Sequence, residues 1–404
     1  MSRFNVNQEH SLQPNSQEYM YQKKYVSIHS EDRDQIKFPN SSEFEIELPQ
    51  DYLNVQSVKL SSWTFPANYS VFSANQNNLQ MSFRISDPYS PQSNSYYEQL
   101  QDVIYQGLIA HIQSDFIITI EEGFYTPEQM ATELTNTMNY VVTNYLDTFI
   151  QNYDLTNNTN VYSDFSGYSE FVVAYNFVNQ KLWFGNKSSE FILTNDSDLY
   201  YKQDILLTCP VNKLPEFSNW GLPAYLGFTR NPITSTEIPN GTQSRFYYGD
   251  HVTGDSGYWL PLSSLPGANS YIIKAELKIN LMGPAYFYME IHGMNNIDET
   301  APYNVSPFTS HTNETNGIVN SSFAKIAIPT TPISQWFDNN IDSYMLYNPP
   351  AERIRRLRFR LRYHNGLLVN FGNFEYSIML ELGILLPQKK VEKYVYVPET
   401  VAFG

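Results

Sequence analysis

Apolar and polar residues alternate near the start of the chain. In residues 25–29 and 43–48 every second side chain is apolar, and residues 55–63 form a third run rich in β-branched and apolar side chains. A period of two is that of a strand with one buried face. Turn-forming residues such as Pro39 and Asn40 separate the runs. The pattern predicts three strands at the start of the fold.

The same alternation returns in the second half. Asn365 and Gly366 have the composition of a tight hairpin turn between two of the predicted strands. The strands predicted here cover residues 273–281, 285–292, 323–328, 357–363, 367–371 and 374–385. Together with the opening strands they number eight or nine, enough for an antiparallel jelly-roll sandwich.

A helix is the clearest element of the middle of the chain. Thr126 is a predicted N-cap, Pro127 suits the first helical position, and Gln129 completes a capping box. Apolar residues then recur at helical spacing, at Met130, Leu134, Met138, Val141 and Tyr145. Short strands surround this helix, which indicates a small inserted α+β module.

These patterns divide the chain into four parts. Residues 1–24 are polar and predict an extended or mobile arm. Residues 25–85 and 268–386 form the predicted jelly roll, and residues 86–267 form the inserted α+β module with its surface loops. Residues 387–404 are a carboxy-terminal tail. The predicted fold class is therefore mainly β, an antiparallel jelly-roll sandwich with an inserted small α+β module.

Several segments resemble one family. They are residues 25–34 (YVSIHSEDRD), 38–49 (FPNSSEFEIELP), 52–60 (YLNVQSVKL), 65–66 (FP), 123–127 (GFYTP), 226–228 (LGF) and 362–371 (RYHNGLLVNF). Linked at this spacing, they resemble minor capsid proteins of large icosahedral nucleocytoplasmic double-stranded DNA viruses, the giant viruses of algae and amoebae. Two positions depart from the family pattern. His29 stands where most members have an acidic residue, and Asn365 stands where Asp is expected before the Gly.

The resemblance implies a structural role without catalysis. It suggests a minor capsid protein, either a shell cement or a vertex-associated subunit, that is made in the host cytoplasm and resides in the virion. The implied partners are the major capsid protein and other minor capsid proteins. Assembly with copies of itself is compatible with this role, and contact with an inner membrane has no support in the sequence.

Composition limits the other functions. Charged residues make up 16% of the chain, aromatic residues 15%, and there are 32 Tyr, which suits β-structure and contact surfaces. The net charge of -16 argues against nucleic acid as a partner. The single cysteine, Cys209, excludes an internal disulfide and indicates a reducing compartment. No apolar segment is long enough for a signal peptide or a membrane span, so we expect a soluble protein.

Motifs for catalysis, metals and cofactors are weak or missing. Residues 254–257 (GDSG) copy the surroundings of a serine-protease nucleophile, but Tyr258 replaces a further glycine and no partner motif accompanies His251. The seven histidines have no metal-ligand spacing. Residues 195–198 (NDSD) lack the glycine and the distal glutamate of a calcium loop. We expect no enzymatic activity, no cofactor and no metal.

Four arginines on one predicted strand are the strongest local charge feature. Arg356, Arg358, Arg360 and Arg362 recur at every second position, which places them about 7 Å apart on one face. One interpretation is a solvated face or a ladder against Glu43, Glu45 and Glu47, which have the same spacing. The other is a docking surface for an acidic neighbour in the shell, because the arginine side chain suits carboxylates.

The tail offers a second candidate partner site. Residues 391–397 alternate apolar and polar side chains and include Tyr394 and Tyr396. Two interpretations stay open: strand addition to a neighbouring subunit, or packing on the tail's own domain. An alternative function is a virion-surface jelly roll that binds host glycans, for which Asp255, Tyr258 and Trp259 are the candidate residues.

Overall fold

The computed structural model describes residues 19–66, 70–76, 78–91, 98–194, 221–229, 231–238, 260, 263–299, 320–328, 335–338, 343–364 and 366–387. Its strands and helices are, in chain order, β1 (Tyr19–His29), β2 (Glu43–Pro66), β3 (Gln80–Asp87), α1 (Glu98–Ala110), β4 (Phe116–Thr119), α2 (Pro127–Asn157), β5 (Phe171–Asn176), β6 (Lys181–Asn186), β7 (Glu190–Leu193), α3 (Leu222–Leu226), β8 (Ile233–Thr234), β9 (Thr236–Ile238), β10 (Ser270–Lys274), β11 (Tyr286–Ile291), β12 (Ile297–Glu299), β13 (Asn320–Ser322), β14 (Ala324–Ala327), β15 (Gln335–Asp338), β16 (Tyr344–Arg362) and β17 (Ser377–Pro387).

The chain forms two compact units. The first unit comprises Met1–Asn68, Tyr286–Glu299 and Asn320–Gly404, and the second comprises Tyr69–Ala285 and Thr300–Val319. The boundaries from the sequence, after residue 85 and before residue 268, placed β3 and β10 in the jelly roll. Both strands instead pair inside the second unit, β3 with β4 and β7, and β10 with β6 and β9. A period of two shows that a strand has a buried face, but it does not show which sheet the strand joins.

The strand pairing of the first unit is that of a jelly roll. Four antiparallel pairings form a long rolled hairpin: β1 with β17, the two halves of β2 with the two halves of β16, and β11 with β14. Two further antiparallel pairings, β17 with β2 and β11 with β16, join these strands into one seven-stranded sheet that also includes β15. The mainly β, jelly-roll fold class predicted from the sequence is confirmed.

Irregularities in the middle of β2 and β16 bend these two long strands. Asn54 has a left-handed φ of 53° in the middle of β2. The β2–β16 register shifts twice in this region, between Leu346 and Ala351 and between Ile354 and Arg356. Bulges of this kind bend a strand and increase its twist. The inner faces then close on an aromatic core in which the Phe65 ring lies 4.7 Å from Tyr376.

Two local predictions for the first unit were wrong. Residues 19–24, assigned to the arm, belong to β1, whose register with β17 runs from Tyr19 opposite Pro387 to His29 opposite Ser377. Gln22, Lys23 and Lys24 obscured the strand, because pairing with β17 satisfies the backbone even where both faces of a strand carry polar side chains. Residues 367–371 contribute only an isolated bridge between Arg362 and Leu368 instead of a strand.

The second unit combines helix α2 with two four-stranded sheets. The predicted capping box is confirmed: Thr126 Oγ1 accepts from the Gln129 N–H at 3.3 Å, and Gln129 Oε1 accepts from the Thr126 N–H at 3.0 Å. Side chains of α2 also cover the edge of β5. Thr135 Oγ1 accepts from the Val173 N–H at 2.9 Å, and the Asn139 amide bonds both backbone groups of Phe171. This edge is therefore satisfied without another strand.

Helix α1 (Glu98–Ala110) was not predicted from the sequence. Gly107 explains how the helix packs, because a Cβ at this position would lie 2.9 Å from Leu146 Cδ2 on α2. The Tyr145 hydroxyl donates to the Gly107 carbonyl at 3.0 Å.

The strand predicted over residues 273–281 ends at Lys274, and Leu277 is 56% exposed. Among the described residues, no helix combines the length and the hydropathy needed to cross a bilayer.

Candidate docking surface

Two rows of opposite charge lie side by side on the solvent face of the jelly roll, and we call them the charge ladder. Its members are Glu43, Glu45, Glu47 and Asp51 on β2, Arg353, Arg355, Arg356, Arg358 and Arg360 on β16, and Glu290 on β11. Glu47 is opposite Arg356, Glu45 is opposite Arg358, and Glu43 is opposite Arg360. The alternate residues point inward, where the Phe44 and Phe359 rings stack at 5.3 Å. The structure therefore has the Glu–Arg ladder that the shared two-residue spacing of the two segments indicated.

The pairs within the ladder differ in closeness. Arg358 Nη2 lies 2.7 Å from Glu43 Oε1, and Arg355 Nη2 lies 2.5 Å from Glu47 Oε1. The hydrogen bond from Arg355 to Glu47 raises the pKa of this guanidinium. The Arg358 side chain is 56% exposed, so its pair with Glu43 contributes roughly 0.2–1 kcal/mol to stability. Such pairs fix side-chain positions more than they stabilise the fold.

Arg356 and Arg360 are held more loosely. The closest carboxylate oxygens to Arg356 lie at 3.6 and 3.9 Å, and its side chain is 61% exposed. Arg360 faces Glu43 in the register, but Glu43 is bonded to Arg358, and the Glu290 carboxylate is 4.0 Å from the Arg360 guanidinium. These two guanidinium groups therefore keep donor capacity for carboxylates from outside the molecule.

Arg362 is not part of this solvent face, although it follows Arg356, Arg358 and Arg360 at the same two-residue spacing in β16. Its side chain is 5% exposed, and its guanidinium donates to both oxygens of Glu299, at 2.5 and 3.1 Å. It also bonds Glu290. Burial alone lowers the pKa of Arg362, but the bonds to the two glutamates raise it above its ordinary value. Arg362 therefore stabilises the first unit and is removed from the docking surface.

The polar opening motif also serves the fold. Arg33 Nη1 donates to the Glu375 carboxylate at 2.6 Å and to the Ser30 carbonyl at 2.7 Å. The Ser30 hydroxyl donates to Glu375 as well, at 2.5 Å, and the Tyr376 N–H donates to the Ser30 hydroxyl at 2.8 Å. These contacts connect the loop after β1 to the start of β17. His29 lies beside this cluster, with Nε2 3.1 Å from the Ser27 hydroxyl.

An aromatic surface on β1 and β17 was missed in the sequence. Tyr21 and Tyr25 are 48% and 56% exposed, and Lys23 lies between them on the same face. Glu381 accepts from the Tyr25 hydroxyl at 2.9 Å and lies 2.8 Å from Lys23 Nζ. The hydrogen bond from Lys23 is the largest influence that lowers the pKa of Glu381. The two-residue spacing of Tyr21, Lys23 and Tyr25, which places all three on one face of a strand, was the signal that could have revealed this surface.

An acidic depression of about 450 Å³ lies in the second unit, where α2 begins. Its glutamates hold the preceding turn: Glu122 accepts from the Ala74 N–H at 2.8 Å, and Glu133 accepts from the Glu121 N–H at 3.4 Å. Within the described ranges, no group of three or more His, Cys, Asp or Glu side chains is arranged to hold a metal ion.

The remaining predicted site residues lie outside the described residues. They are Tyr394 and Tyr396 in the tail, and Asp255, Tyr258 and Trp259 of the proposed glycan site. The GDSG motif and His251 also lie outside the described residues. Their roles stay predictions.

Comparison with known proteins gives weak likenesses. No protein-family model and no curated protein matches the chain. Among solved structures, the mavirus penton protein is 9% identical with a TM-score of 0.37, and the match covers 91% of this chain and 100% of that one. A chain of the Sputnik virophage, solved by cryo-EM, is 11% identical with a TM-score of 0.37 and coverages of 90% and 98%. Likenesses at this level carry no functional argument, and the jelly roll rests on the strand pairings described above.

Proposed function

We propose that this chain is a structural minor capsid protein, a shell cement or vertex-associated subunit that binds neighbouring capsid proteins in an icosahedral virion. The observation that carries the proposal is the exposed arginine row of the charge ladder on a jelly-roll face. The resemblance of the opening segments to minor capsid proteins supports the same role. The partners would be the major capsid protein and other minor capsid proteins, and the role requires no catalysis.

The ladder suits an acidic partner surface. Arg355 and Arg358 are held by carboxylates at 2.5 and 2.7 Å, so these two side chains lose less entropy when they contact a partner. Arg356 and Arg360 each present a planar group that can donate two parallel hydrogen bonds to a carboxylate. The net charge of -16 means that the molecule as a whole repels an acidic neighbour. A local row of arginines then favours approach of that neighbour to the ladder face.

The direct test replaces Arg358 and Arg360 by glutamate. Both side chains are about half exposed, so we expect the purified variant to fold normally by circular dichroism and to be absent from assembled particles. The control variant carries Lys37→Glu and Lys278→Glu, which change the net charge equally at exposed positions that are not members of the ladder. The control should enter particles normally, and normal incorporation of the arginine variant would contradict the proposal.

A charge exchange separates docking from internal pairing. The variant Glu43→Arg with Arg358→Glu retains an opposite pair at this position but reverses its polarity toward a neighbour. If the arginines contact a partner, this variant should be excluded from particles like the single Arg358→Glu variant. Restored incorporation would show that the ladder acts only within the molecule.

Glycan binding is the alternative function, and its candidate residues lie outside the described ranges. The two roles differ in how firmly the protein is held. Stoichiometric retention in particles stripped of loosely bound surface proteins is expected for a shell component. Ready detachment together with glycan binding by the purified protein would favour the alternative.

A further inference from the structure

A small polar cavity lies in the second unit, next to helix α1. Its volume is about 70 Å³, which leaves room for only a few water-sized groups. Ile104 and Leu108 of α1 contribute apolar side chains to its lining. The lining also includes four side chains that carry oxygen, and we call this space the oxygen-rich cavity. These side chains are Tyr168 and Glu170, shortly before β5, and Ser188 and Ser189, between β6 and β7.

The three hydroxyl groups of the cavity are held in place by Asn186. Its Nδ2 donates to the Tyr168 hydroxyl at 2.9 Å, and its Oδ1 accepts from the N–H groups of Ser188 and Ser189 at 3.0 and 2.8 Å. Tyr168, Ser188 and Ser189 are 8%, 6% and 1% exposed. Each hydroxyl oxygen has two lone pairs, so the Tyr168 oxygen can accept a second contact. The cavity therefore presents buried oxygen atoms in fixed positions.

Glu170 adds a negative charge that is only partly compensated. Its Oε2 is buried and has no hydrogen-bond partner among the described residues. Lys187 is close enough to lower the pKa of Glu170, but its Nζ donates to the Ser169 carbonyl at 3.0 Å. Burial has the larger influence and raises the pKa of the Glu170 carboxyl. A buried carboxylate oxygen without a donor or a cation is costly, so this oxygen favours a positively charged ligand.

The chemistry of the cavity selects a single positive charge. Calcium takes six to eight oxygen ligands, among them several carboxylates, and magnesium usually keeps several waters. The oxygen-rich cavity offers one carboxylate and little space, and no group of three acidic, histidine or cysteine side chains is arranged for a metal ion in the described part of the chain. One carboxylate balances one monovalent cation, and neutral hydroxyl oxygens complete its surroundings.

We propose that the oxygen-rich cavity binds one monovalent cation, either an alkali ion or a primary ammonium group. Glu170 supplies the opposite charge, and the hydroxyl oxygens of Tyr168, Ser188 and Ser189 supply further contacts. The cation connects the segment before β5 to the turn between β6 and β7. This site belongs to the second unit and is independent of the docking surface in the first unit.

Amide hydrogen exchange of the full chain tests the proposal. Exchange is followed by mass spectrometry in sodium, potassium or methylammonium chloride at equal ionic strength. Tetramethylammonium chloride is the reference, because this cation is larger and has no N–H donor. At a concentration about ten times the dissociation constant, at least one small cation should slow exchange of residues 186–189 roughly tenfold. Residues 286–291 of β11, in the first unit, should exchange at an unchanged rate.

Three variants show whether Glu170 is responsible. Glu170→Gln keeps the shape of the side chain and removes its charge, so the slowing should disappear. Glu128→Gln removes a charge from an exposed position on α2 and should keep the slowing. Lys187→Met removes the competing positive charge and should lower the cation concentration needed for half of the effect. Circular dichroism checks that each variant is folded, and the Lys187→Met titration still tests the site if Glu170→Gln unfolds.

The salts also identify the ligand. Slowing in sodium or potassium chloride indicates an alkali ion, and slowing in methylammonium chloride alone indicates a primary ammonium group. The proposal is overturned if no small cation slows exchange, or if tetramethylammonium slows it equally. It is also overturned if folded Glu170→Gln keeps the full effect. Slowing that occurs only in Lys187→Met would show that Lys187 already neutralises Glu170, which also contradicts the proposal.

Discussion

Arg362 and Glu299 form a buried ion pair in the first unit, with the guanidinium bonded to both carboxylate oxygens at 2.5 and 3.1 Å. The Glu299 side chain is 1% exposed. Removing the guanidinium would leave this carboxylate buried without its cation. We predict that Arg362→Met lowers the free energy of unfolding by about 3–5 kcal/mol.

Urea denaturation checks this value, with Arg358→Met as the matched control. The control removes an exposed arginine from the same strand and should cost less than about 1 kcal/mol. Equal effects of the two substitutions would mean that Arg362 has no special structural role.

A second prediction concerns how the free energy of unfolding decreases at acid pH. Lys23 lowers the pKa of Glu381 below the ordinary value of 4.5. A carboxylate whose pKa is lowered by folding stabilises the fold above its unfolded pKa, and this contribution is lost as the pH falls through the folded pKa. We predict that Lys23→Met raises the pKa of Glu381 toward 4.5 and weakens the loss of stability below this pH. Carboxyl ¹³C NMR titration measures the shift.

Lys24→Met is the control for this titration, because Lys24 projects from the opposite face of β1. It should leave the pKa of Glu381 unchanged. An unchanged pKa in the Lys23→Met variant would show that the 2.8 Å contact between Lys23 and Glu381 has no electrostatic effect in solution.

The third prediction separates two reasons for a glycine. Gly227 and Gly366 both have left-handed φ values, 89° and 87°. A Cβ at Gly227 would collide with the Leu277 carbonyl, whereas a Cβ at Gly366 would meet no atom within 4 Å. Gly366→Ala should therefore cost about 1–2 kcal/mol from backbone strain alone. Gly227→Ala should cost about 1–3 kcal/mol more, because the carbonyl must move.

The midpoints of urea unfolding for the two variants check this comparison. The carbonyl of Gly227 also accepts from the Leu277 N–H at 2.8 Å, so the displacement should be local to these two segments. Equal losses for the two alanine variants would exclude the close approach as the reason for Gly227.

The fourth prediction concerns the start of α2. Thr126→Ala removes the hydroxyl that accepts from the Gln129 N–H, and we expect a loss of about 1 kcal/mol in thermal or urea unfolding. Thr132→Ala, in the exposed interior of α2, removes only a bond from its hydroxyl to the Glu128 carbonyl. It should have little effect or slightly stabilise the helix. A loss as large as that of Thr126→Ala would argue against the cap.

The charge ladder shows what residue spacing can predict and what it cannot. The matched spacing of Glu43, Glu45 and Glu47 with the arginines of β16 was visible in the sequence, and the register pairs them. The same spacing placed Arg362 with the other arginines, yet Arg362 is buried. Spacing assigns a side chain to a face, whereas its exposure depends on what covers that face, and Glu299 of β12 covers Arg362.

Helix α1 illustrates another limit. Leu100, Val103, Ile104 and Leu108 recur in it at helical spacing, so a helical signal was present, but the helix follows Pro88 and Pro91 and was not identified. The helix is held by packing on α2, where Gly107 permits the close approach. Such tertiary packing supplies most of a helix's stability in a protein, and the local pattern does not show which element the apolar face packs on.

The sequence by itself determined the strand period, the cap of α2, the jelly-roll class and the complementary charges of two strands, because these depend on side-chain alternation and short-range hydrogen bonding. Only the tertiary structure decided that β3 and β10 belong to the second unit and that Arg362 is buried. The physical reason is that these features depend on contacts between segments far apart in the chain, which alternation does not encode.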